Sequence, residues 1–512
     1  MGGVLGIPGA GHVSNDHTAR DPLEVATATG VVRGIRDGGV FAWRGVPYAA
    51  PPVALLRLRA PEPHASWTGV RDASSFGPAA PQPRDPGDED CLTLDIVRPP
   101  TSAPARPVMV FVHGGGYSGG NCSAPMYRGH SLALRGDVVY VSIGYRLGAL
   151  GYLDFTEFAT PERRFDSNLG LRDQVAALEW IQRNIAAFGG DPDNVTVFGE
   201  SAGANAVTTL LATPAAKGLF ARAIAQSSPV ASSYPRTRTA RWAREFVRLT
   251  GARDAASWLE DAPASEFVRV GETLVHRGVD AEPGTRAFAP VVDGDFLPEH
   301  PLDVLEAGRA HPVPLIIGTN AHEGRAFPRF ADILPTTQER IDGMFAHVPD
   351  AVKSAAISAY PAYPKPRGAA DLGGDVTFWE PSVRAAAGHS GRAETFTYRY
   401  DFAPRLLHLA GLGATHATEL YTVFGHRPWW FPLLTSFGGR RGARATTDLV
   451  QTHWVHFARH GTPAPGPHAG GVDWPRYDTA ERATLILDAQ PRVERDPDAT
   501  KRRAWIGYEH IR

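Results

Sequence analysis

The stretch Gly199-Glu200-Ser201-Ala202-Gly203 is the most informative part of this chain. Residues 194–198 before it form a short apolar run, and residues 204–211 after it can begin a helix. A serine between two glycines at a strand-to-helix turn lies in a bend so tight that neighbouring side chains would clash. The Ser201 hydroxyl then projects from the sheet edge, and the Ala202 N–H points to the same place. The pattern predicts a serine nucleophile, and an ordinary exposed serine in a Gly-Ser turn is the competing interpretation.

A second glycine-rich stretch follows a predicted buried strand. Residues 107–112 are too apolar to alternate, which is typical of a parallel strand covered on both faces. They lead into His113-Gly114-Gly115-Gly116-Tyr117. Such a loop can turn its N–H groups toward one point and bind the negative oxygen of a reaction intermediate. We predict the N–H groups of Gly115, Gly116 and Ala202 as the donors. For the glycine-rich loop the alternative is a flexible linker, but linkers seldom follow buried strands.

Length, charge and cysteine usage narrow the class of protein. The chain has 512 residues, a formal net charge of -2 and two cysteines, Cys91 and Cys122. This charge does not favour a nucleic acid or an anionic membrane surface as a partner. A disulfide-stapled secreted protein would use more cysteines, residues 1–20 lack the apolar core of a signal peptide, and no apolar run is long enough for a membrane span. We expect a soluble cytoplasmic protein, with a monomer as the favoured state.

Apolar runs predict a parallel core preceded by antiparallel strands. Residues 22–60 have the β-rich alternation, broken by glycine, of antiparallel strands and turns. Apolar residues recur every three or four positions from 171 to 188, which predicts an amphipathic helix that packs on the sheet. The predicted strands of the core are residues 92–97, 108–112, 137–143, 194–198, 221–225, 313–317 and 395–400.

The elements form one series of alternating strands and helices, which favours a single large domain. Residues 1–21 hold almost nothing to bury, and we expect them to be disordered. Residues 22–512 are expected to form the domain. The segments near 235–285 and 325–390 are too long to be simple connections, so we expect insertions there that build walls over the active site.

A serine nucleophile needs a base that takes its proton and an acid that orients the base. With the chain order serine, acid, histidine, the acid must follow a later buried strand that ends at the edge carrying Ser201. Glu323 follows the strand predicted at 313–317, and Asp293 follows the apolar pair at 291–292. We favour Glu323 because its strand is longer and more apolar. A solvated loop carboxylate and a turn-forming Asp-Gly pair are the ordinary alternatives.

The base must lie beyond Glu323, on a loop after a late strand. His416 follows the strand predicted at 395–400 and a short helix. Position alone does not separate it from its rivals, although a predicted helix holds the last three of them. His456 and His460 are four residues apart, a spacing that can hold zinc, but no glutamate follows His456 and we expect neither a metal nor a cofactor. The rivals are His426, His453, His456 and His460.

Several stretches resemble the signatures of one protein family. Residues 188–203 match the serine signature of the type-B carboxylesterases and cholinesterases at each position. Glu89-Asp90-Cys91-Leu92-Thr93-Leu94-Asp95-Ile96 is similar to the second signature of that family. The resemblance covers roughly residues 24–507. It implies an α/β-hydrolase fold, with a large, mostly parallel central sheet, helices on both faces and long helical insertions over the active site.

The resemblance also implies site residues and an activity. The family's acid loop maps to His322-Glu323-Gly324, and its base maps to His416. The implied reaction is the hydrolysis of carboxylic esters to acid and alcohol through an acyl-enzyme on Ser201. An amidase or carbamate hydrolase with the same triad is the alternative, and a non-catalytic binding member of the fold is a further one.

Three departures from the family stand out. Residues 77–81 lack the cysteine that pairs with Cys91 in secreted relatives, which agrees with a reducing compartment. His322 replaces an aspartate beside the acid, and it could alter the surroundings of Glu323. Gly144 replaces an asparagine, which would loosen a loop near the pocket.

Two aromatic clusters are candidates for the substrate pocket. An aromatic lining would suit small aryl or alkyl-aryl esters, and plain core packing is the alternative. Three adjacent large aromatics are hard to bury together, because neighbouring side chains point in different directions. The clusters are Phe378-Trp379 and Trp429-Trp430-Phe431.

Overall fold

The computed structural model of the protein describes residue 2 and residues 21–101, 105–436 and 439–512. Apart from residues 2 and 21, the tail 1–21 lies outside the described residues, so its disorder stays a prediction. Among the helices within these ranges, none combines the length and the apolar composition that a membrane crossing requires.

Strands of the described ranges form one large central sheet and two small sheets. In chain order the strands are β1 (Glu24–Ala26), β2 (Val31–Arg33), β3 (Ile35–Asp37), β4 (Val40–Pro47), β5 (Val70–Asp72), β6 (Thr93–Arg98), β7 (Arg106–Val112), β8 (Val139–Ile143), β9 (Gly190–Glu200), β10 (Arg222–Gln226), β11 (Tyr234–Pro235), β12 (Val291–Val292), β13 (Leu315–Asn320), β14 (Thr395–Tyr400), β15 (Ala483–Leu487) and β16 (Arg492–Arg495).

The central sheet has the strand order β16-β15-β14-β13-β10-β9-β7-β8-β6-β4-β3. Neighbours from β15 to β8 run parallel to one another. At the edges, β16 pairs antiparallel with β15, and β6, β4 and β3 continue the sheet in antiparallel pairs beyond β8. The sheet is mostly parallel and preceded by antiparallel strands, as predicted. The prediction that the strand at 92–97 starts the parallel core is wrong, because β6 pairs antiparallel with both β4 and β8.

Helices cover both faces of the sheet. Val108, Val110 and Val112 of β7 belong to one buried cluster, whereas Met109 and Phe111 belong to another on the opposite face. Because both faces are covered, β7 carries no polar alternation. The α-helices are α1 (His130–Gly136), α2 (Gly148–Tyr152), α3 (Leu169–Asn184), α4 (Ala202–Leu210), α5 (Arg236–Thr250), α6 (Ala255–Asp261), α7 (Ala264–Ala281), α8 (Pro301–Glu306), α9 (Phe327–Phe330), α10 (Gln338–Met344), α11 (Asp350–Ser358), α12 (Pro366–Gly374), α13 (Glu380–His389), α14 (Arg405–Leu409), α15 (Leu420–Val423), α16 (Phe431–Leu434), α17 (Gly439–His460) and α18 (Ala499–Ala504).

The structure shifts some of the predicted boundaries. The strand predicted at 395–400 coincides with β14, whereas β9 is longer than the predicted run at 194–198. The helix predicted at 171–188 is α3 followed by a 3-10 turn, Ile185–Phe188, which ends at the left-handed Gly189. The strands β15 and β16 were not predicted; β15 is a run of only five residues, and β16, at the sheet edge, consists largely of charged residues. Boundaries depend on packing that the local pattern does not contain.

The two long segments between core strands are mostly helical. Residues 235–285 contain α5, α6 and α7, and residues 325–390 contain α9 to α13. A π-helical turn, Asp375–Trp379, joins α12 to α13. The helix α7 packs against α2, and α2 follows the carboxyl end of β8. The segment 235–285 therefore reaches the sheet edge at which the glycine loop follows β7.

Gly144 lies in a closely packed segment, so the predicted loosening of this loop is wrong. Its N–H donates to the Thr93 carbonyl at 2.9 Å, and the Tyr48 hydroxyl donates to its carbonyl at 2.8 Å. A Cβ at this position would lie 2.8 Å from the Cys91 carbonyl oxygen. Glycine therefore permits the close approach of two backbone segments. The nearby Cys91 and Cys122 are both buried free thiols.

We predict that Gly144→Ala lowers the thermal unfolding midpoint. The added methyl group must displace backbone rather than a flexible side chain, and such overpacking costs about 1–3 kcal/mol. Gly391→Ala is the matched control, because its Cβ would meet its nearest neighbour, the Gly388 carbonyl, at 3.5 Å. Equal midpoints for the two variants in a thermal scan would contradict this account of Gly144.

Candidate active site

Three of the predicted site segments meet at one edge of the central sheet. Ser201 follows the last residue of β9, the glycine loop follows β7, and Glu323 lies three residues beyond the end of β13. These strands are parallel, so their carboxyl ends lie at the same edge. This edge is where open α/β sheets commonly bind ligands.

Ser201 has a strained backbone between two closely packed glycines. Its φ is 59° and its ψ is -125°, a conformation that non-glycine residues rarely adopt. A Cβ on Gly203 would lie 2.0 Å from the Val112 carbonyl oxygen, and one on Gly199 would lie 2.5 Å from the Gly203 backbone. The Ser201 N–H donates to the Gln226 carbonyl at 2.9 Å, which ties the turn to β10. The serine is half-buried at the start of α4.

The glycine loop lies directly beside Ser201. A Cβ on Gly114 would be 3.1 Å from the Ser201 Cβ. Gly115 and Gly116 have φ values of +118° and +62°, which explains why glycine occupies both positions. Within the described part of the chain, the N–H groups of Gly115, Gly116 and Ala202 donate to no protein acceptor. The three predicted donors are therefore free for a ligand.

Glu323 is buried and holds three hydrogen bonds. Its Oε1 accepts from the Asn320 N–H and from the Ser227 hydroxyl, each at 2.6 Å. Its Oε2 lies 2.6 Å from His416 Nδ1. The side chain is almost fully shielded from solvent, with 1% of the residue exposed. These contacts fix the carboxylate and orient the imidazole ring, with Nε2 on the opposite side from Glu323.

A short contact between two loops brings His416 to Glu323. The His322 N–H donates to the Ala414 carbonyl at 2.9 Å, and the Ala326 N–H donates to the Thr415 hydroxyl at 3.1 Å. The loop after β14 is thereby held against the loop after β13. The His322 side chain points elsewhere, with its Nδ1 3.9 Å from Asp371 Oδ1.

The competing acid has a different role. Asp293 accepts hydrogen bonds from the Ser167 hydroxyl at 2.7 Å and from the Asn168 amide at 2.8 Å. It also accepts from the N–H groups of Asp295 and Leu297, each at 3.0 Å. Burial opposes these bonds, but together they lower the pKa of Asp293. The carboxylate closes a turn and joins it to the start of α3.

The histidines that compete with His416 have other surroundings. His453 is fully buried in α17 with its ring against Trp474, and burial lowers its pKa to about 4. His426 stacks on Tyr421. The His456 Nδ1 lies 2.8 Å from the Thr462 carbonyl, and its ring packs on His460. Of the five candidates, His416 is the one whose ring contacts Glu323 in the described ranges.

Glu200 and Glu419 add two carboxylates that sequence reasoning did not assign to the site. Glu200 Oε1 lies 3.1 Å from His416 Nε2, and Glu419 Oε2 accepts from the Asn320 amide at 2.6 Å. Burial raises the pKa of Glu200 to about 8 and that of Glu419 to about 7. The position of Glu200 directly before Ser201 is the sequence signal that could have assigned it to the site. No comparable sequence signal marks Ser227 or Asn320.

The carboxylates control the charge of His416. Burial by itself would lower the pKa of His416, but the neighbouring carboxylates of Glu200 and Glu323 outweigh burial and raise that pKa to about 9. A hydrogen bond from Ser201 to His416 Nε2 is absent among the described residues, and Nε2 is next to Glu200 instead. In unliganded hydrolases the catalytic hydrogen bonds are often long or poorly aligned.

The aromatic residues predicted for the pocket separate into different places. Phe378 is fully buried and stacks on the His416 ring, with centroids 4.4 Å apart, so it supports the imidazole and offers no surface to a substrate. Trp379 follows Phe378 directly on the same helical turn, so its side chain points in another direction. Its ring faces Lys501 Nζ rather than the site. Trp429 is 91% exposed. Trp430 and Phe431 pack against Tyr421. A preference for aromatic esters therefore has no support from these five residues.

A cavity of about 380 Å³ opens beside Gly115 and Gly116. None of the five predicted aromatic residues lines it; its walls come from the loop after β8, from α7 and from residues 285–288. Within the described ranges, no group of three or more His, Cys, Asp or Glu side chains is arranged to hold a metal ion. The arrangement brings together a strained serine, a histidine paired with a buried acid, and free N–H donors.

Known proteins with similar sequences are named as esterases or hydrolases. A model of the carboxylesterase family matches residues 21–505. The chain is 36% identical to the para-nitrobenzyl esterase of Bacillus subtilis (strain 168), over 93% of this chain and 97% of that protein. It is also 36% identical to phenmedipham hydrolase of Pseudarthrobacter oxydans, over 92% of this chain and 96% of that protein.

Solved structures of esterases are similar to this protein over nearly the whole chain. A PNB esterase structure superposes with a TM-score of 0.85 at 34% identity, covering 95% of this chain and all of that one, 100%. A carboxylesterase from Geobacillus stearothermophilus gives a TM-score of 0.83 at 35% identity, covering 94% and 100% of the two chains. The predicted fold and activity class are confirmed. The chain belongs to the carboxylesterase family, has the α/β-hydrolase fold and is a serine hydrolase of carboxylic esters.

Proposed function

We propose that Ser201, His416 and Glu323 form the catalytic triad of this esterase. The observation that carries the proposal is the 2.6 Å contact between His416 Nδ1 and Glu323 Oε2, at the sheet edge where the strained Ser201 begins α4. A base fixed by a buried acid, next to a serine presented on a tight turn, is the arrangement that nucleophilic catalysis by serine requires.

The proposed reaction proceeds through an acyl-enzyme. His416 takes the Ser201 proton as the serine oxygen attacks the ester carbonyl, and the Glu323 carboxylate stabilises the imidazolium that forms. The imidazolium then gives its proton to the leaving alcohol. Water, deprotonated by His416, releases the acid and regenerates Ser201.

We assign the binding of the oxyanion to the N–H groups of Gly115, Gly116 and Ala202. Each of these N–H groups is free of protein acceptors in the part of the chain that the structure describes, and the glycine loop packs beside Ser201. Donors that already point to the place where negative charge develops need no reorganisation during the reaction. One such hydrogen bond contributes about 3 kcal/mol to transition-state stabilisation.

The proposed organisation is one domain, residues 22–512, in a reducing compartment, the cytoplasm. The central sheet includes β3 near the start of the chain and β16 near its end, which supports one shared core. The segments 235–285 and 325–390 then serve as walls over the site. Cys91 and Cys122 are free and buried, which suits a compartment that keeps thiols reduced.

Ser201→Ala is expected to abolish hydrolysis of p-nitrophenyl acetate while leaving the thermal midpoint near that of the wild type. The alanine removes the nucleophile and keeps the Cβ that the turn already accommodates. Turnover below about one thousandth of wild type is the expected size of a triad loss. Turnover well above this level, in protein purified free of host esterases, would show that Ser201 is not the nucleophile.

Glu323→Gln is expected to lower kcat by roughly 10⁴, because the neutral amide cannot stabilise the imidazolium. Asp293→Asn is the matched control: it exchanges a carboxylate for an amide in a turn and should change kcat little. Steady-state kinetics on p-nitrophenyl acetate distinguish the two. A large loss in Asp293→Asn together with a small one in Glu323→Gln would reverse the assignment.

Glu200→Gln is expected to move the acidic limb of the pH profile of kcat/KM to lower pH. The base must be neutral, and removing the Glu200 charge makes the imidazolium less favourable, so that the pKa of His416 falls. Glu323 and Glu419 remain and continue to raise that pKa. A limb that stays in place, or moves to higher pH, would contradict the role of Glu200 in setting the charge of His416.

A further inference from the structure

The cavity beside the glycine loop has mostly apolar walls and four charged or titratable side chains in its lining, of which Arg84, Glu272 and His276 are exposed and Arg286 is half-buried. Gly115, Gly116 and Arg286 all belong to the lining of this cavity of about 380 Å³. Methylene groups of an extended chain would pack well against such a wall. The apolar lining side chains that the argument uses are Leu147, Leu150, Val275, Phe288 and Ile333.

Among the described residues, the Arg286 guanidinium has no hydrogen-bond or ion-pair partner. Its backbone N–H donates to the Tyr234 hydroxyl at 3.0 Å, but within residues 21–101, 105–436 and 439–512 its side chain forms no ion pair and no hydrogen bond. The buried Arg238, by contrast, pairs with Glu282. A sheltered cation without a counter-charge is costly, and an anion that enters the site offsets that cost.

The surroundings of Arg286 leave its charge uncompensated. Burial lowers the pKa of Arg286, and the groups that oppose this effect are the phenols of Tyr234 and Tyr117 rather than carboxylates. The residue nevertheless keeps accessible surface, because it is half-buried and lines the cavity. The guanidinium is therefore available to a group that occupies this space.

The position of the cavity relative to His416 indicates which part of an ester it receives. His416 must protonate the leaving alcohol, so the alcohol lies on the His416 side of Ser201. Neither His416 nor the ring of Phe378 stacked on it lines the cavity, whereas Gly115 and Gly116 do. Because the cavity adjoins the predicted oxyanion donors but not the proton donor of the leaving alcohol, it suits the acyl chain better than the alcohol.

We propose that Arg286 binds a carboxylate at the far end of the acyl chain, so that the preferred substrates are monoesters of dicarboxylic acids. The proposal rests on the catalytic roles proposed above for Ser201 and His416. The planar guanidinium suits a carboxylate through two parallel hydrogen bonds, and the apolar wall suits the methylene groups between the two ends.

The first test compares charged and neutral substrates of equal length on the wild-type enzyme. Monoethyl esters of succinic, glutaric and adipic acid are each paired with the ethyl ester of the corresponding half-amide, and ethanol release is measured at pH 7.5. At one or more chain lengths we expect kcat/KM to be at least about tenfold higher for the carboxylate, the size expected of a charge-assisted hydrogen bond. Equal kcat/KM values at all three lengths would overturn the proposal without any variant.

The second test assigns the preference to Arg286. Arg286→Met keeps the length of the side chain and removes its charge, so the ratio of kcat/KM between charged and neutral substrates should fall about tenfold or more, mainly through KM. Arg286→Lys should restore part of that ratio. Arg84→Met is the matched control, because Arg84 lines the same cavity but is exposed, and its loss should change the ratio less than about fivefold.

The ratio of kcat/KM between charged and neutral substrates tests the role of Arg286 independently of the proposed catalytic triad. Failure of the triad would be seen as unchanged hydrolysis of both substrates in Ser201→Ala. Two results, each with Ser201→Ala inactive, would overturn the present proposal. In one, Arg286→Met leaves the ratio of kcat/KM between charged and neutral substrates unchanged; in the other, Arg84→Met abolishes that ratio instead. A structural role of Arg286 would lower both rates together and leave the ratio unchanged, which would also overturn it.

Discussion

The close approach of the first turn of α4 to the end of β7 is the constraint on which the site depends. The Gly203 backbone lies so near the Val112 carbonyl that no side chain fits between them. This contact sets the bend at Ser201, and the same bend brings the glycine loop against the serine. A strained residue persists only where its surroundings over-determine it, and here β9, β10 and β7 all hold the turn.

A second constraint is electrostatic. One imidazole shares a buried space with three carboxylates, those of Glu200, Glu323 and Glu419, and like charges at such distances cannot all ionise freely. Asn320 and Ser227 donate hydrogen bonds to Glu323 Oε1 and hold the carboxylate in place. Protons in such a cluster belong to the group as a whole, so its titration is a property of the site rather than of any single residue.

The sequence was most informative where a local pattern has one physical cause. Runs covered on both faces, such as β7, predicted the parallel core, and the glycines around Ser201 predicted a turn that only glycine permits. Position along the chain could not separate His416 from its rivals, because a contact between two distant loops places it at Glu323. The two aromatic clusters do not line the cavity beside the glycine loop for a similar reason: tertiary packing sets where Trp379 and Trp429 point, and the sequence pattern does not contain that packing.

The π-helical turn Asp375–Trp379 has a consequence for how this enzyme family can diversify. It lies inside one continuous helical rod formed by α12 and α13, and it carries the Phe378 ring that stacks on His416. A wide turn of this kind holds one residue more than an α-helical turn, so gaining or losing that residue rotates the side chains on it while the rod on either side keeps its length and direction. The imidazole can thus acquire a different neighbour through a single-residue insertion or deletion, with no change in the strands or loops that carry the chemistry.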